Sequence, residues 1–232
     1  MNVLALETSM GACGVAVLRA GGTSRKLLAR EERMAKGHAE ALMPMLAAVM
    51  HEASLDFTAL DKIAATLGPG SFTGVRIAIA AARGLALVTD AKLWGTDSLT
   101  VMARTALASG AVTSGAPFAV AVDARAGQLY FGLFAGDGRK LSGPLLLSPD
   151  EAARLLPVEL GLAVGSGAAR LAEAANALGL AVEAKLPDLE PSAAALAELA
   201  FESDETLPVL HPLYLRPPDA KPQNASGLAR QP

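Results

Sequence analysis

A chain of 232 residues with 52% hydrophobic and 19% charged residues holds enough apolar material for a substantial core, and its composition is not that of a disordered segment. A formal net charge of −3 with no basic stripe argues against a protein that grips nucleic acid unaided, because phosphate neutralisation supplies most non-specific affinity. One cysteine excludes an internal disulfide framework and a four-cysteine zinc site, and no apolar run reaches the ~20 residues of a membrane span. The first residues also lack a basic leader region, so a cytoplasmic location away from membranes is expected.

Val3-Leu4-Ala5-Leu6-Glu7 reads as a buried strand that turns through Thr8 to Gly11 and returns as a second strand from Cys13 to Leu18. Cys13 lies among small apolar residues and reads as a buried hydrophobe, not a reactive thiol. Residues 33–53 carry a helical period, with Leu42, Leu46, Val49, Met50 and Ala53 on one side. Pro44 inside that run predicts a kink or a helix start after Gly37, and Met34, Met43 and Met45 add flexible bulk. Residues 62–67 read as a strand entering a glycine-rich loop, followed by a helix over 73–88 crowded with Ala78, Ala80, Ala81, Ala82, Gly84 and Ala86. Ile77, Ile79, Leu85 and Leu87 point in different directions there, which predicts burial on two sides: one on the sheet, the other within this chain or on a partner.

Residues 106–117, rich in Ala, Ser, Thr and Gly, read as a connector. Ala119-Val120-Ala121-Val122-Asp123 then forms a second strand that turns through Gly127 and returns over residues 129–134. Residues 161–164 enter Gly165-Ser166-Gly167 and a helix over 168–178; after Pro187 and Pro191, Ser192 caps one more helix with Glu198 on its polar side. The two halves echo each other without a gap, Glu7 on Asp123, Gly11 on Gly127 and Leu18 on Phe134. A duplicated α/β plan is therefore expected, with lobes at 1–110 and 111–216 and the last helix placed to pack back on the first lobe. Residues 217–232 hold Pro217, Pro218 and Pro222 among polar groups and read as a flexible tail; Asn224-Ala225-Ser226 fits a glycosylation sequon without meaning in the cytoplasm.

Chemistry concentrates in Gly68-Pro69-Gly70-Ser71-Phe72-Thr73-Gly74-Val75-Arg76, where a strand gives way to a helix N-terminus. Gly68, Gly70, Ser71 and Thr73 there are anion-site candidates; equally, the glycines permit a tight turn while Ser71 or Thr73 caps the helix. No lysine followed by Ser or Thr closes the run, so it is not a Walker A loop. Glu7 and Asp123 end their strands where nucleotide-binding relatives of such folds keep acids, yet Thr8 follows Glu7 and no glycine comes before Gly11; equally, the two acids tie down their own turns. His38, His51 and His211 include no pair spaced for two ligands on one helix face, and no Gly-x-Ser-x-Gly elbow occurs.

Leu4-Ala5-Leu6-Glu7-Thr8-Ser9, His38-Ala39-Glu40-Ala41-Leu42 with Pro44, the loop 68–76, Asp123-Ala124-Arg125 and Pro212-Leu213-Tyr214-Leu215-Arg216 together resemble the TsaB (YeaZ) family, relatives of the glycoprotease or Kae-type proteins. The resemblance runs nearly to Arg216, and the loop 68–76 is its most specific part. It implies a two-lobed actin-like, ribonuclease H-like α/β fold. It also implies a non-catalytic subunit that pairs with the TsaD-type catalytic homologue, works with the TsaE-type ATPase on threonylcarbamoyl transfer to adenosine in tRNA, and forms a homodimer when alone. ATP is then used by the complex with no cofactor bound by this chain alone, and tRNA is met only through the complex. The catalytic homologue has two metal-binding histidines four residues apart; here His38 stands at the first position and Leu42 at the second, so no metal is expected. Glu7 replaces the family's usual aspartate. The expected partner face takes His38, Leu42, Met45 and Leu46 from the first helix, with Arg76, Ile77, Ala80, Ala81, Arg83, Gly84 and Leu87 from the second. An independent actin-like ATPase or small-molecule kinase, and a metalloprotease, are the competing readings.

Overall fold

The computed structural model describes residues 1–21, 24–112 and 115–215. Arg216, the proline-bearing tail, the Asn224-Ala225-Ser226 triplet, and Thr113 and Ser114 of the connector lie outside the described residues. The first half runs β1 (Asn2–Glu7), β2 (Ala12–Gly21), β3 (Ser24–Arg33), α1 (His38–Glu52), β4 (Lys62–Thr66), α2 (Phe72–Ala86), β5 (Lys92–Thr96) and α3 (Ser98–Ala108). The second half runs β6 (Phe118–Asp123), β7 (Leu129–Phe134), β8 (Lys140–Leu147), α4 (Pro149–Ala153), β9 (Leu162–Val164), α5 (Ala168–Ala177), β10 (Glu183–Lys185) and α6 (Ala193–Glu202).

Each half builds a five-stranded mixed sheet of the same order, β3-β2-β1-β4-β5 in one and β8-β7-β6-β9-β10 in the other. In both, the first three strands are antiparallel and the last two join in parallel through helical crossovers. This repeated plan is the two-lobed actin-like, ribonuclease H-like architecture. The echo between the hairpins is not gapless, however. Glu7 pairs with Gly14 across its turn, whereas Asp123 pairs with Leu129, so Leu18 corresponds to Leu133 and not to Phe134. The second turn is one residue shorter because Ala126 and Gly127 both take left-handed φ values, 58° and 73°, and close it tightly.

Burial on both faces explains why β1 reads as an unbroken apolar run. Leu4 and Leu6 face a core with Leu42, Leu46 and Val49 of α1 and Val75, Ala78, Ile79 and Ala82 of α2. Val3 and Ala5 face the opposite way, against Ala193, Leu196, Ala197 and Ala200 of α6. In the other half Ala121 and Phe131 pack with α4 and α5, while Phe118, Val120 and Phe134 pack with Leu99, Met102 and Ala106 of α3. Helices α3 and α6 are thus exchanged, each closing the sheet of the other half, and a division at residue 110 separates the sheets but not the layers. Ala106, expected in a connector, is a buried residue of α3.

After α6 the chain passes back along the free edge of the first sheet. Leu207 N donates to Leu93 O of β5 at 2.8 Å, and Leu213 N donates to Leu67 O at 2.6 Å. Lys62, buried at the start of β4, donates from Nζ to Ala200 O at 2.7 Å and to Ser203 O at 2.5 Å, fixing the end of α6 where this strap begins.

Candidate functional site

The turn after β1 sits under the glycine-rich loop and is held from several sides. Thr8 Oγ1 donates to Gly74 O at 2.6 Å, and Ser71 N donates to Ser9 O at 2.7 Å. A side chain at Gly70 would collide with Ser9 O, and one at Gly74 with Thr8 O. These two glycines therefore have an intramolecular reason: backbone must meet backbone. Ser71 caps α2, its Oγ accepting from Gly74 N at 3.3 Å. Of the four anion-site candidates, Gly70 and Ser71 are accounted for by these contacts, Gly68 takes a left-handed φ of 95°, and Thr73 lies exposed on the first turn of α2.

Glu7 is buried, 1% exposed, and its Oε1 accepts from Ser9 N at 2.6 Å and Ser9 Oγ at 2.5 Å. Ser98 Oγ donates to Ser9 Oγ at 2.9 Å, tying the head of α3 into the same group. Burial raises the Glu7 carboxyl to about 7, against the opposing pull of the hydrogen bonds from Ser9. The turn also reaches the second half: Gly11 N donates to Glu190 Oε2 at 2.9 Å. Nearby, Arg33 donates to Asp188 O at 2.7 Å, and Glu31 Oε1 accepts from Ser192 Oγ and Ala193 N at 2.7 and 2.6 Å.

The matching acid of the second half is also engaged. Asp123 Oδ1 lies 2.8 Å from Arg170, which donates as well to Gly127 O. Asp123 N donates to Ser166 Oγ at 3.0 Å. Both strand-end acids meet groups of this chain, but differently: Glu7 is buried in its own turn, whereas Asp123 makes an exposed ion pair with Arg170. Across the two halves, Lys140 Nζ lies 2.8 Å from Oδ2 of Asp97, which is also the N-cap of α3.

The expected partner face is brought together only in part. Leu42 and Leu46 belong to the core, 1% and 0% exposed, because the apolar side of α1 is the side that covers β1 and β2. These two residues contribute no surface. Met45, Ile77 and Ala81 are half-buried against the same core, while Arg76, Ala80, Arg83, Gly84 and Leu87 line the outward side of α2. Leu87 is 87% exposed. The helix that read as apolar all round divides into a covered side (Val75, Ala78, Ile79, Ala82) and this open one. His38 opens α1 after Gly37 and places Nε2 3.1 Å from Met10 O; Leu42, one turn on, is buried. Among the described residues no three His, Cys, Asp or Glu side chains converge as a metal cluster would, and no helix is long and apolar enough to cross a membrane. Phe72 and Tyr214, both exposed and stacked beside Arg76, were not selected from the sequence; the four-residue spacing of Phe72 and Arg76 was the available signal.

Comparison with known proteins places these features in context. Residues 31–203 match the family model for TsaD, tRNA N6-adenosine threonylcarbamoyltransferase. The tRNA threonylcarbamoyladenosine biosynthesis protein TsaB of Haemophilus influenzae is 28% identical over 93% of this chain and 94% of its own length. TsaB of Escherichia coli is 33% identical over 59% of this chain, a match that spans 56% of that protein. Among solved structures, a Pseudomonas aeruginosa protein described as similar to the peptidase YeaZ superposes with a TM-score of 0.79 at 30% identity, covering 93% of this chain and 99% of that one.

Proposed function

We propose a role for this chain that starts from kinship: it belongs to the TsaD family of tRNA N6-adenosine threonylcarbamoyltransferases and, within it, to the TsaB/YeaZ branch. In this reading it serves tRNA threonylcarbamoyladenosine biosynthesis as a subunit with no chemistry of its own. It pairs with a TsaD-type catalytic subunit, works beside a TsaE-type ATPase, and dimerises with itself when alone. It meets tRNA only through the complex.

The observation that carries this reading is the engagement of both strand-end acids and of the glycine loop by the chain's own groups. Glu7 is buried and bonded to Ser9, Asp123 is paired with Arg170, and Gly70 and Gly74 close on Thr8 and Ser9. An actin-like kinase needs those acids turned toward a metal–nucleotide and that loop toward phosphate. Nucleotide is therefore assigned to the complex and not to this chain alone. The open side of α2, with Ala80, Gly84 and Leu87, supplies an apolar surface for the partner.

The test is reconstitution from purified TsaD-type and TsaE-type subunits with threonine, bicarbonate, ATP and unmodified tRNA, with and without this chain. Modified adenosine is expected only when the chain is present, and the chain alone is expected not to turn over ATP. Equal modification without it would overturn the assignment.

A further inference from the structure

Phe72 and Arg76 stand one turn apart on α2, and Tyr214 arrives beside them from the far end of the chain. The strap that brings Tyr214 is fixed one residue earlier, where Leu213 N donates to Leu67 O at 2.6 Å. The two rings stack with centroids 5.9 Å apart and an interplanar angle of 28°. The Arg76 guanidinium carbon lies 3.4 Å from the Phe72 centroid and 5.5 Å from that of Tyr214. Phe72 is 62% exposed and Tyr214 50%, in a protein with only 4% aromatic residues. The stack and the guanidinium contact give these rings some intramolecular stabilisation, but much of each face is left open at the surface.

Arg76 makes no hydrogen bond and no ion pair among the described residues. Stacking holds a guanidinium plane in place while leaving its edge N–H donors free. Such a fork matches a carboxylate through two parallel hydrogen bonds, and a fork already immobilised loses less entropy when the carboxylate arrives. Tyrosine and arginine are also the residue types that dominate binding at interface centres. The cluster continues along the outward side of α2, where Ala80 and Gly84 lie beside a second arginine, Arg83, with Leu87 exposed at the C-cap; the small apolar residues and the overall net charge of −3 favour a protein partner over a phosphate backbone.

We propose that Phe72, Arg76 and Tyr214 form a pre-set anchor that receives an aspartate or glutamate side chain of the protein partner at the head of α2. This rests on the partner reading above and adds to it a chemical identity for one contact, together with a role for the strap. The strap's work is to hold Tyr214 against Arg76, so that the fork is aimed before pairing.

The test titrates the full chain and its variants into a purified TsaD-type subunit by calorimetry at low and high salt, with Ala80→Asp as the control for the helix face. Arg76→Gln is expected to weaken pairing at least about tenfold at low salt and to flatten the salt dependence, as loss of a charged fork should. Arg76→Lys keeps the charge but not the fork and is expected to recover only part of the affinity. Tyr214→Ala should weaken pairing, while Tyr214→Phe, which retains the ring, should pair like the parent. All three side chains being exposed, thermal unfolding should stay near that of the parent. If Ala80→Asp breaks pairing while Arg76→Gln and Tyr214→Ala bind normally, the partner reading stands and the anchor is overturned. If none of the three alters binding, both fall. A mobility-shift arm with unmodified tRNA closes the remaining route: loss of RNA binding by Arg76→Gln with pairing intact assigns the guanidinium to a phosphate and overturns the anchor.

Discussion

Glu7 sits at the end of a strand buried on both faces, and among the described residues its Oε2 accepts no well-formed hydrogen bond, the hydroxyl of Thr66 lying near the carboxyl without one. The protonated acid is therefore the form that the folded chain prefers, and burial carries the carboxyl from an ordinary value near 4.5 up to about 7. A raised folded value means that the group's stabilising contribution is full below the unfolded value and is lost as pH rises through about 7. The swing across that window is about 3 kcal/mol by the linkage relation. Glu7→Gln stays neutral at every pH. Urea unfolding of parent and variant should show the variant gaining on the parent between pH 5 and pH 8, with most of the gain by about pH 7. A difference that does not change with pH would show that Glu7 carries its charge at no cost in the fold.

At the scale of elements, α2 makes a clear separation possible. Ile79 faces the core and Ala80, its neighbour in sequence, faces outward. Ile79→Ala should cost about 2–4 kcal/mol of stability by urea unfolding, since it leaves a cavity under the first sheet. Ala80→Asp should cost under about 1 kcal/mol, mostly helix propensity, yet break pairing with the TsaD-type subunit. Unchanged pairing by Ala80→Asp would remove this face from the interface. The same contrast explains what was legible beforehand. Strands β1, β2 and β4 and helices α1 and α2 were readable because apolar period and glycine punctuation record local burial, whereas the short strand β5 and helix α3 were not read, and the end of α3 reads as a connector. Strand β3 was not: Ser24–Arg33 has almost no buried position, so its charged sequence carries no alternation and gives no sign of pairing with β2 along ten residues. Leu42 and Leu46 were assigned to a surface although their spacing marks one side of a helix, because periodicity finds an apolar face without saying what covers it. The stack of Tyr214 on Phe72 was hidden for a different reason, since it depends on where a distant strap lands.

At the scale of the whole molecule, the two halves are bound together by the exchange of α3 and α6 and by polar contacts between them. Lys140 reaches Asp97, Glu190 takes Gly11 N, and Glu31 takes the start of α6. Removing the chain from Ser192 onward would strip the cover from Val3, Ala5, Ala16 and Leu18, so the shortened protein should lose cooperative unfolding altogether in calorimetry. Side chains from both halves cross between them here, Glu7 is buried against Ser9, and Asp123 is held at the surface by Arg170. Any ligand that binds the folded form alone stabilises it, by about 2.7 kcal/mol when present at a hundredfold excess over its Kd. Millimolar ATP with magnesium should therefore leave the thermal midpoint of the isolated chain unmoved, and the same addition should raise the midpoint once the TsaD-type subunit is present. A shift for the isolated chain would mean that the two halves do part and that Glu7 or Asp123 can leave its internal partner. Its abolition by Asp123→Ala, but not by a change on the α2 face, would then locate the nucleotide in the second lobe and return the independent ATPase to contention.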